Sequence, residues 1–326
     1  MKKLINNPEN VVNEMLEGIV KAHPEYVKRV EGADVLVRAN KGDKVALVSG
    51  GGSGHEPAHG GYVGTGMLDG AVAGAVFTSP TPDQVFEAIK AVDAGKGVLL
   101  VIKNYTGDVM NFEMAADMAD MEGIKVDKVV VNDDVAVKDS LYTVGRRGVA
   151  GTVFVHKIAG AYAEMGEDLA KVKAVAEKVI ANVRTMGMAL APCTTPASGK
   201  PGFELGETEM EMGIGIHGEP GTYRAELKEA DAIVDEMLGK ILEDRSFTEV
   251  AVMVNGFGGT PPMELYVVNN HVADVLAQKG IKVYKTFVGN YMTSLDMEGC
   301  SITLLELDDE LKKGLDAPAD TIGLRC

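Results

Sequence analysis

Short apolar runs that each close in a glycine-rich or polar loop, separated by stretches of helical periodicity, restrict this chain to a layered α/β fold. The runs are Val45-Ala46-Leu47-Val48, the segment from Gly97 to Lys103 (Gly-Val-Leu-Leu-Val-Ile-Lys), and Val126 to Val131. Apolar character concentrated in so few residues, interrupted only by Asp127 and Lys128 in the third run, is that of largely buried strands. The first run ends at the loop Ser49-Gly50-Gly51-Gly52-Ser53-Gly54-His55-Glu56-Pro57. Helical patterns at about 82–93 and 109–122 fall between the later runs. Strand, helix, strand repetition predicts right-handed βαβ units and a largely parallel sheet, with ligands at the strands' carboxyl ends.

Around these units the pattern continues. Val11, Val12, Met15, Leu16, Ile19 and Val20 make one helical stripe within Pro8 to Ala22, after an Asn-Pro start. Helices at about 149–165 and 168–186 close the first half. The second half offers strands at 187–191, 213–217, 249–255, 281–288 and 301–306, with helices near 228–243 and 260–279. A chain of 326 residues exceeds the usual size of one hydrophobic core. The reading is therefore two α/β domains, residues 1–184 and 185–326, each a largely parallel or mixed sheet flanked by helices. The first carries the glycine-rich and Lys103/Asp108 loops and the second carries His217. The Gly/Pro-rich stretch from Pro192 to Gly202 reads as an ordered loop within the second.

Charge and composition exclude several classes. With Lys+Arg 32 against Asp+Glu 48, the net charge of -16 repels nucleic-acid phosphates and anionic lipid over most of the surface. No run approaches the roughly 18 apolar residues of a membrane span. The opening Met-Lys-Lys-Leu-Ile meets Asn6, Asn7, Pro8 and Glu9 where a signal peptide needs its apolar region. Cys193, Cys300 and Cys326 are odd in number and lack paired spacing, which fits a reducing compartment. The expected location is the cytoplasm, with no nucleic-acid and no membrane partner.

Several motifs carry chemistry. His55-Glu56-Pro57-Ala58-His59 matches H-E-x-x-H, but that zinc site needs both histidines on one helical face, and the preceding glycines and Pro57 oppose a helix. Gly51-Gly52-Ser53-Gly54-His55 fails the nucleophile-elbow pattern at its last position. That loop carries neither the dinucleotide nor the P-loop glycine pattern. What remains is a glycine-dense turn whose backbone N–H groups can approach a ligand's oxygens. Lys103-Asn104-Tyr105-Thr106-Gly107-Asp108 puts an amine, an amide, hydroxyls and a carboxylate after another buried strand, although the commoner role for Asp108 there is a helix N-cap. Gly213-Ile214-Gly215-Ile216-His217-Gly218-Glu219-Pro220-Gly221 ends an expected strand at a glycine-flanked histidine, whose neutral imidazole is a competent nucleophile toward a carbonyl. The acids in Asn132-Asp133-Asp134-Val135-Ala136-Val137-Lys138-Asp139 lack EF-hand spacing and read as solvated turns and helix caps. His23, His156 and His271 lie in helical contexts and read as structural.

Together with Thr78-Ser79-Pro80-Thr81-Pro82, Asp133-Asp134-Val135-Ala136 and Gly145-Arg146-Arg147-Gly148, the Gly51–Pro57, Lys103–Asp108 and Gly215–Gly221 strings resemble the substrate-binding subunit of dihydroxyacetone kinases. The likeness runs in order from Met1 to Cys300-Ser301-Ile302-Thr303-Leu304-Leu305. It implies that Nε2 of His217 adds to the ketone carbon of dihydroxyacetone, giving a covalent hemiaminal. It implies that Gly52, Ser53, Gly54 and His55 contact the ligand's oxygens, and that Lys103 and Asp108 bind its hydroxyls. His55 is then the proton acceptor, with Asp108 orienting or sharing the proton. Single-chain members that use ATP carry a helical nucleotide-binding domain after this region, whereas this chain ends at Cys326. The resemblance thus implies a separate subunit of a phosphoenolpyruvate-dependent phosphotransferase. Such a subunit forms a homodimer and binds no nucleotide or metal itself. Its phosphoryl donor is a partner subunit holding Mg-ADP, docked at the mouth near Gly52, Asp108 and His217. The rival reading is a paralogue that captures the same ketone, lacks turnover and co-activates a transcription regulator.

Overall fold

Two six-stranded sheets organise the chain. The computed structural model describes residues 2–137 and 144–326; Met1, Lys138 and Asp139 of the sequence reading lie outside them. The first half runs α1 (Val11–Ala22), β1 (Val27–Arg29), β2 (Val35–Arg38), β3 (Ala46–Ser53), β4 (Gly64–Thr65) and β5 (Gly70–Val76). It continues through α2 (Pro82–Val92), β6 (Val98–Lys103), α3 (Thr106–Met121), β7 (Val126–Val131), α4 (Thr152–Glu164) and α5 (Leu169–Asn182). Then come β8 (Val183–Ala191), β9 (Glu209–Met212), β10 (Tyr223–Glu226), α6 (Ala230–Asp244), β11 (Glu249–Gly256) and α7 (Pro262–Gln278). The chain closes with β12 (Lys282–Gly289), β13 (Glu298–Glu306), α8 (Asp309–Asp316) and β14 (Asp320–Thr321).

The first sheet has the order β1-β2-β5-β3-β6-β7. Its β5, β3, β6 and β7 are parallel, as the alternating pattern predicts. β1 and β2 add an antiparallel edge. The second sheet, β10-β9-β8-β13-β11-β12, is mixed: only β11 and β12 run parallel, and its other pairings are antiparallel.

Several elements differ from the sequence reading. β3 does not stop before the glycines but passes through them to Ser53, pairing Gly50, Gly51 and Gly52 with Val72, Ala73 and Gly74 of β5. A Cβ on Gly50 would stand 2.5 Å from the Val72 carbonyl oxygen, so the missing side chains are what lets this strand lie there. β5 itself, Gly-Ala-Val-Ala-Gly-Ala-Val, escapes prediction because Gly and Ala are poor strand formers. The helix expected to reach residue 186 ends at Asn182, and β8 begins at Val183.

Helices cover both sheets on their outer faces and fill the space between them. Val85, Ile89, Phe112 and Ala115 of α2 and α3 pack with Val48, Val98 and Leu100. Val234, Met237 and Leu238 of α6 and Leu276 of α7 pack with Val252 and Ile302. The third core is shared: Leu99 and Val101 from the first sheet and Met253 and Leu305 from the second join Val155, Val172, Leu311 and Leu315 of α4, α5 and α8. The chain after β13 returns to the first half, where β14 pairs with β4. There the buried Lys157 ammonium donates to the Gly314 and Ala317 carbonyls at 2.7 Å each, satisfying acceptors at the end of α8.

Candidate active site

A cavity of about 590 Å³ opens beside the carboxyl ends of β3 and β6, lined by Gly52, Phe77, Tyr105, Asp108, His217 and Glu219 among others. His217 does not end a strand. β9 stops at Met212, and Gly213 turns the chain out of the sheet with φ +69°, a conformation suited to glycine. The Gly-Ile alternation therefore belongs to a loop, and that loop is pinned. The His217 N–H donates to Glu219 Oε2 at 2.9 Å, and Glu219 Oε1 accepts from Arg147 Nη1 at 3.1 Å. Arg147 also donates to the Gly213 carbonyl at 2.8 Å and to Asp134 Oδ2 at 2.7 Å.

Aromatic rings surround the His217 imidazole nearly edge to face. Tyr105 lies 4.4 Å away between centroids, His55 4.8 Å and Phe77 5.6 Å. Burial, then the positive charges of Lys103 and Arg147, lowers its pKa to about 3. The residue keeps partial exposure at the mouth, and at pH 7 the ring is neutral, with a lone pair available for a carbonyl carbon.

Three buried polar atoms around this ring lack a hydrogen-bond partner among the described residues: His55 Nε2, Asp108 Oδ1 and Tyr105 OH. His55 Nδ1 lies 2.8 Å from the Thr293 carbonyl oxygen. That oxygen only accepts, so Nδ1 carries the proton and Nε2 presents a lone pair. Burial first, then repulsion from a second imidazolium at His217 and from the Lys103 ammonium, holds His55 far below the usual imidazole range, so it too is neutral. Asp108 is not an N-cap, since Tyr105 occupies that position and Asp108 sits buried in the first turn of α3. Burial raises its pKa, while Lys103 and a hydrogen bond from Ser79 pull the other way. Unpaired buried polar atoms each cost on the order of 1–3 kcal/mol. Tyr105 and Asp108 line the cavity, and the His55 ring lies against His217 on its wall, so the group is suited to a polar ligand.

The remaining expected residues lie close by with different attachments. Lys103 is fully buried. Its ammonium donates to the Gly50 carbonyl at 3.2 Å and to His59 Nε2 at 3.0 Å, and stands 3.9 Å from Asp108 Oδ2. The Ser53 hydroxyl donates to the Gly74 carbonyl at 2.7 Å. The Gly54 N–H donates to the Glu56 carboxylate at 3.1 Å. Gly52 lines the cavity directly.

The structure also resolves the decoys. His55 and His59 lie in turns, not on a helix, and their rings go to separate neighbourhoods. Among the described residues no cluster of three or more His, Cys, Asp and Glu could hold a metal ion. Asp133 and Asp134 are not solvated but buried. Asp133 accepts from the Val149 and Gly151 N–H groups and the Thr185 hydroxyl, and Asp134 holds Arg147. Sequence reasoning passed over Phe77, Tyr105, Arg147, Glu219 and the His59–His156 pair as site components. Tyr105, Arg147 and Glu219 sit inside the motif strings, so their signal was position within a string and not residue type. No helix among the described residues is long and apolar enough to cross a membrane.

Comparison with known proteins places this geometry. The chain is 57% identical over 329 residues to the PTS-dependent dihydroxyacetone kinase 1, dihydroxyacetone-binding subunit DhaK, of Listeria innocua, with 99% of each chain covered. A crystal structure of the dihydroxyacetone kinase from C. freundii in complex with AMP-PNP and Mg2+ superposes with TM-score 0.92 and 35% identity, covering 99% of this chain and 61% of that one. The dihydroxyacetone kinase operon co-activator Dha-DhaQ superposes with TM-score 0.88 and 38% identity, covering 95% and 96%. The Dak1 domain model matches residues 17–323, and with two mixed α/β sheets meeting beside one caged histidine, the chain belongs to the Dak1 domain family.

Proposed function

We propose that this chain is the dihydroxyacetone-binding subunit of a phosphoenolpyruvate-dependent dihydroxyacetone kinase, acting in the cytoplasm as a homodimer. The observation that carries it is the neutral His217 imidazole 4.8 Å from the ring of His55, whose Nε2 is unpaired, with the unpaired Asp108 Oδ1 belonging to the same cavity lining. The near full-length identity to the Listeria innocua DhaK subunit supports the same reading.

Dihydroxyacetone is small, uncharged and flexible, so a few hydrogen bonds hold it poorly against water. A reversible covalent bond solves this. The Nε2 lone pair of His217 adds to the ketone carbon, and the carbonyl π electrons move to oxygen. The proton lost from the ring's Nδ1 reaches that oxygen, leaving a neutral hemiaminal. Glycerol has no carbonyl and is refused at this step. The fixed triose then presents a terminal hydroxyl whose oxygen attacks phosphorus. Its proton passes to the His55 Nε2 lone pair, with Asp108 orienting or sharing it. The bond from phosphorus to the donor's leaving oxygen breaks as the new one forms. Holding the hydroxyl in line is the larger share of the work. The phosphoryl group comes from a partner subunit on which a phosphoenolpyruvate-driven chain has phosphorylated bound Mg-ADP, so ADP is the leaving group, and this subunit binds neither nucleotide nor metal.

The likeness to the co-activator Dha-DhaQ keeps a second reading: ketone capture without turnover, coupled to a transcription regulator. A sensor needs His217 but has no use for His55, Lys103 and Asp108 as proton-handling groups. The test mixes the chain with donor subunit, the phosphoenolpyruvate-driven system and dihydroxyacetone, and assays dihydroxyacetone phosphate. Product is expected. Its absence with folded, ketone-binding protein would overturn the kinase reading in favour of the sensor. A His217→Ala variant should bind no ketone adduct by intact mass; a persisting adduct would move the covalent site elsewhere.

A further inference from the structure

Two buried histidines that the proposed chemistry does not use stand directly behind it. His59 Nε2 lies 3.0 Å from the Lys103 ammonium, and His59 Nδ1 lies 3.0 Å from His156 Nε2 on α4. His156 and Lys103 have no solvent exposure, and His59 has 6%. The direction of this chain of hydrogen bonds follows from its first member. An ammonium has donors and no acceptor, so His59 Nε2 must accept, and the ring's proton must sit on Nδ1. Nδ1–H then donates to His156 Nε2. The Ser49 hydroxyl, 3.4 Å from the same nitrogen, already donates to the Val101 carbonyl at 2.7 Å and does not compete as a donor. His59 is thereby locked as one neutral tautomer. Burial, then the charge of Lys103, keeps it far below the ordinary imidazole range.

What this lock does is visible in the distances around Lys103. The ammonium reaches His59 and the Gly50 carbonyl within hydrogen-bond range, yet stops 3.9 Å short of Asp108 Oδ2. A flexible lysine beside a buried carboxylate would ordinarily close to contact, because the charged pair is favoured most where water is excluded. Gly51 leaves the ammonium its place: a Cβ there would meet Lys103 Nζ at 2.4 Å and Asp108 Oδ2 at 3.6 Å.

We infer that His59, oriented by His156, is a positioning residue that holds the Lys103 ammonium away from Asp108, leaving the carboxylate and the amine's remaining N–H to serve the substrate's hydroxyl. The turnover arm of its test rests on the kinase reading; the structural arm does not. Without the imidazole acceptor, Lys103 swings onto Asp108 and both groups are withdrawn from the hydroxyl. Ketone capture survives, because the bond to His217 is made elsewhere.

The structural arm uses the full chain labelled with 15N-histidine. Its side-chain nitrogen resonances, assigned with His59→Gln, should show His59 as the neutral Nδ1–H tautomer near pH 7. An Nε2–H tautomer or an imidazolium would overturn the inference, since neither can accept from an ammonium. This measurement decides even if His59→Leu fails to fold or the parent makes no product. In the kinase assay, His59→Leu should lower kcat by about tenfold to a hundredfold while the ketone adduct still forms and KM changes little. His59→Gln, whose Oε1 restores an acceptor near the lost Nε2, should recover most of that loss. Equal kcat for the two folded variants, or an unchanged kcat in His59→Leu, would overturn it. Absence of product from the parent would instead refute the kinase reading.

Discussion

His217 shows how much a residue's neighbours decide. An ordinary imidazole titrates near 6.5 and is mostly protonated at pH 5, where it has no lone pair for a carbonyl. Here burial, Lys103 and Arg147 lower the value to about 3. The sign is therefore clear: acidification from pH 8 to 5 leaves the nucleophile intact. With dihydroxyacetone labelled at its carbonyl carbon, the bound fraction seen by 13C NMR should stay flat across that interval at saturating ketone. A loss with its midpoint near pH 6.5 would show that the ring is solvated and that the cage of Tyr105, His55 and Phe77 is open in solution.

At the scale of elements, glycine sets which surfaces touch. Gly160 sits fully inside α4, where helix propensity alone favours alanine by about 1 kcal/mol. A Cβ at this position would stand 2.5 Å from both Met67 Cα and its carbonyl oxygen, and 2.7 Å from the Gly66 carbonyl oxygen. All three are backbone atoms of the β4–β5 connection, which cannot rotate aside as a side chain would. Gly160→Ala should therefore destabilise the fold by about 1–3 kcal/mol, read as a lower urea midpoint. A raised midpoint would mean that the helix and this connection do not pack as described. The same logic governs β3, where Gly50 to Gly52 let the strand run on beside β5 and bring Gly52 to the cavity wall.

Across the whole molecule, the two sheets are tied through one middle layer. α4, α5 and α8 bury side chains against strands of both sheets. Arg147 links Asp134, after the first sheet, to Gly213 and Glu219, after β9 in the second. β14 returns from the second half to pair with β4. Neither half can lose its packing without exposing the shared core. Thermal unfolding should accordingly give one calorimetric transition whose van't Hoff and calorimetric enthalpies agree. Two separated transitions would show that the halves are energetically independent.

The parallel strands β3, β6 and β7 and the helices around them were legible from Val45–Val48, Gly97–Lys103 and Val126–Val131, because period and apolar content are local properties of the chain. The ordered motif strings likewise pointed to His217, His55, Lys103 and Asp108 as one set. β5 was hidden, since its Gly and Ala residues carry no strand signal and pair only because β3 presents bare glycines beside them. The loop at Gly213 was misread as strand for the converse reason: alternation is also local, but the left-handed turn that ends β9 is held by Arg147 and Gly187 from distant segments. Residue types and their order thus pointed to the groups that gather at the candidate site and to the layers that carry it. Protonation states, the unpaired Nε2 of His55, and the gap that His59 keeps between Lys103 and Asp108 arose only on folding. They depend on desolvation and on hydrogen bonds between residues far apart in the chain, and no local pattern encodes either.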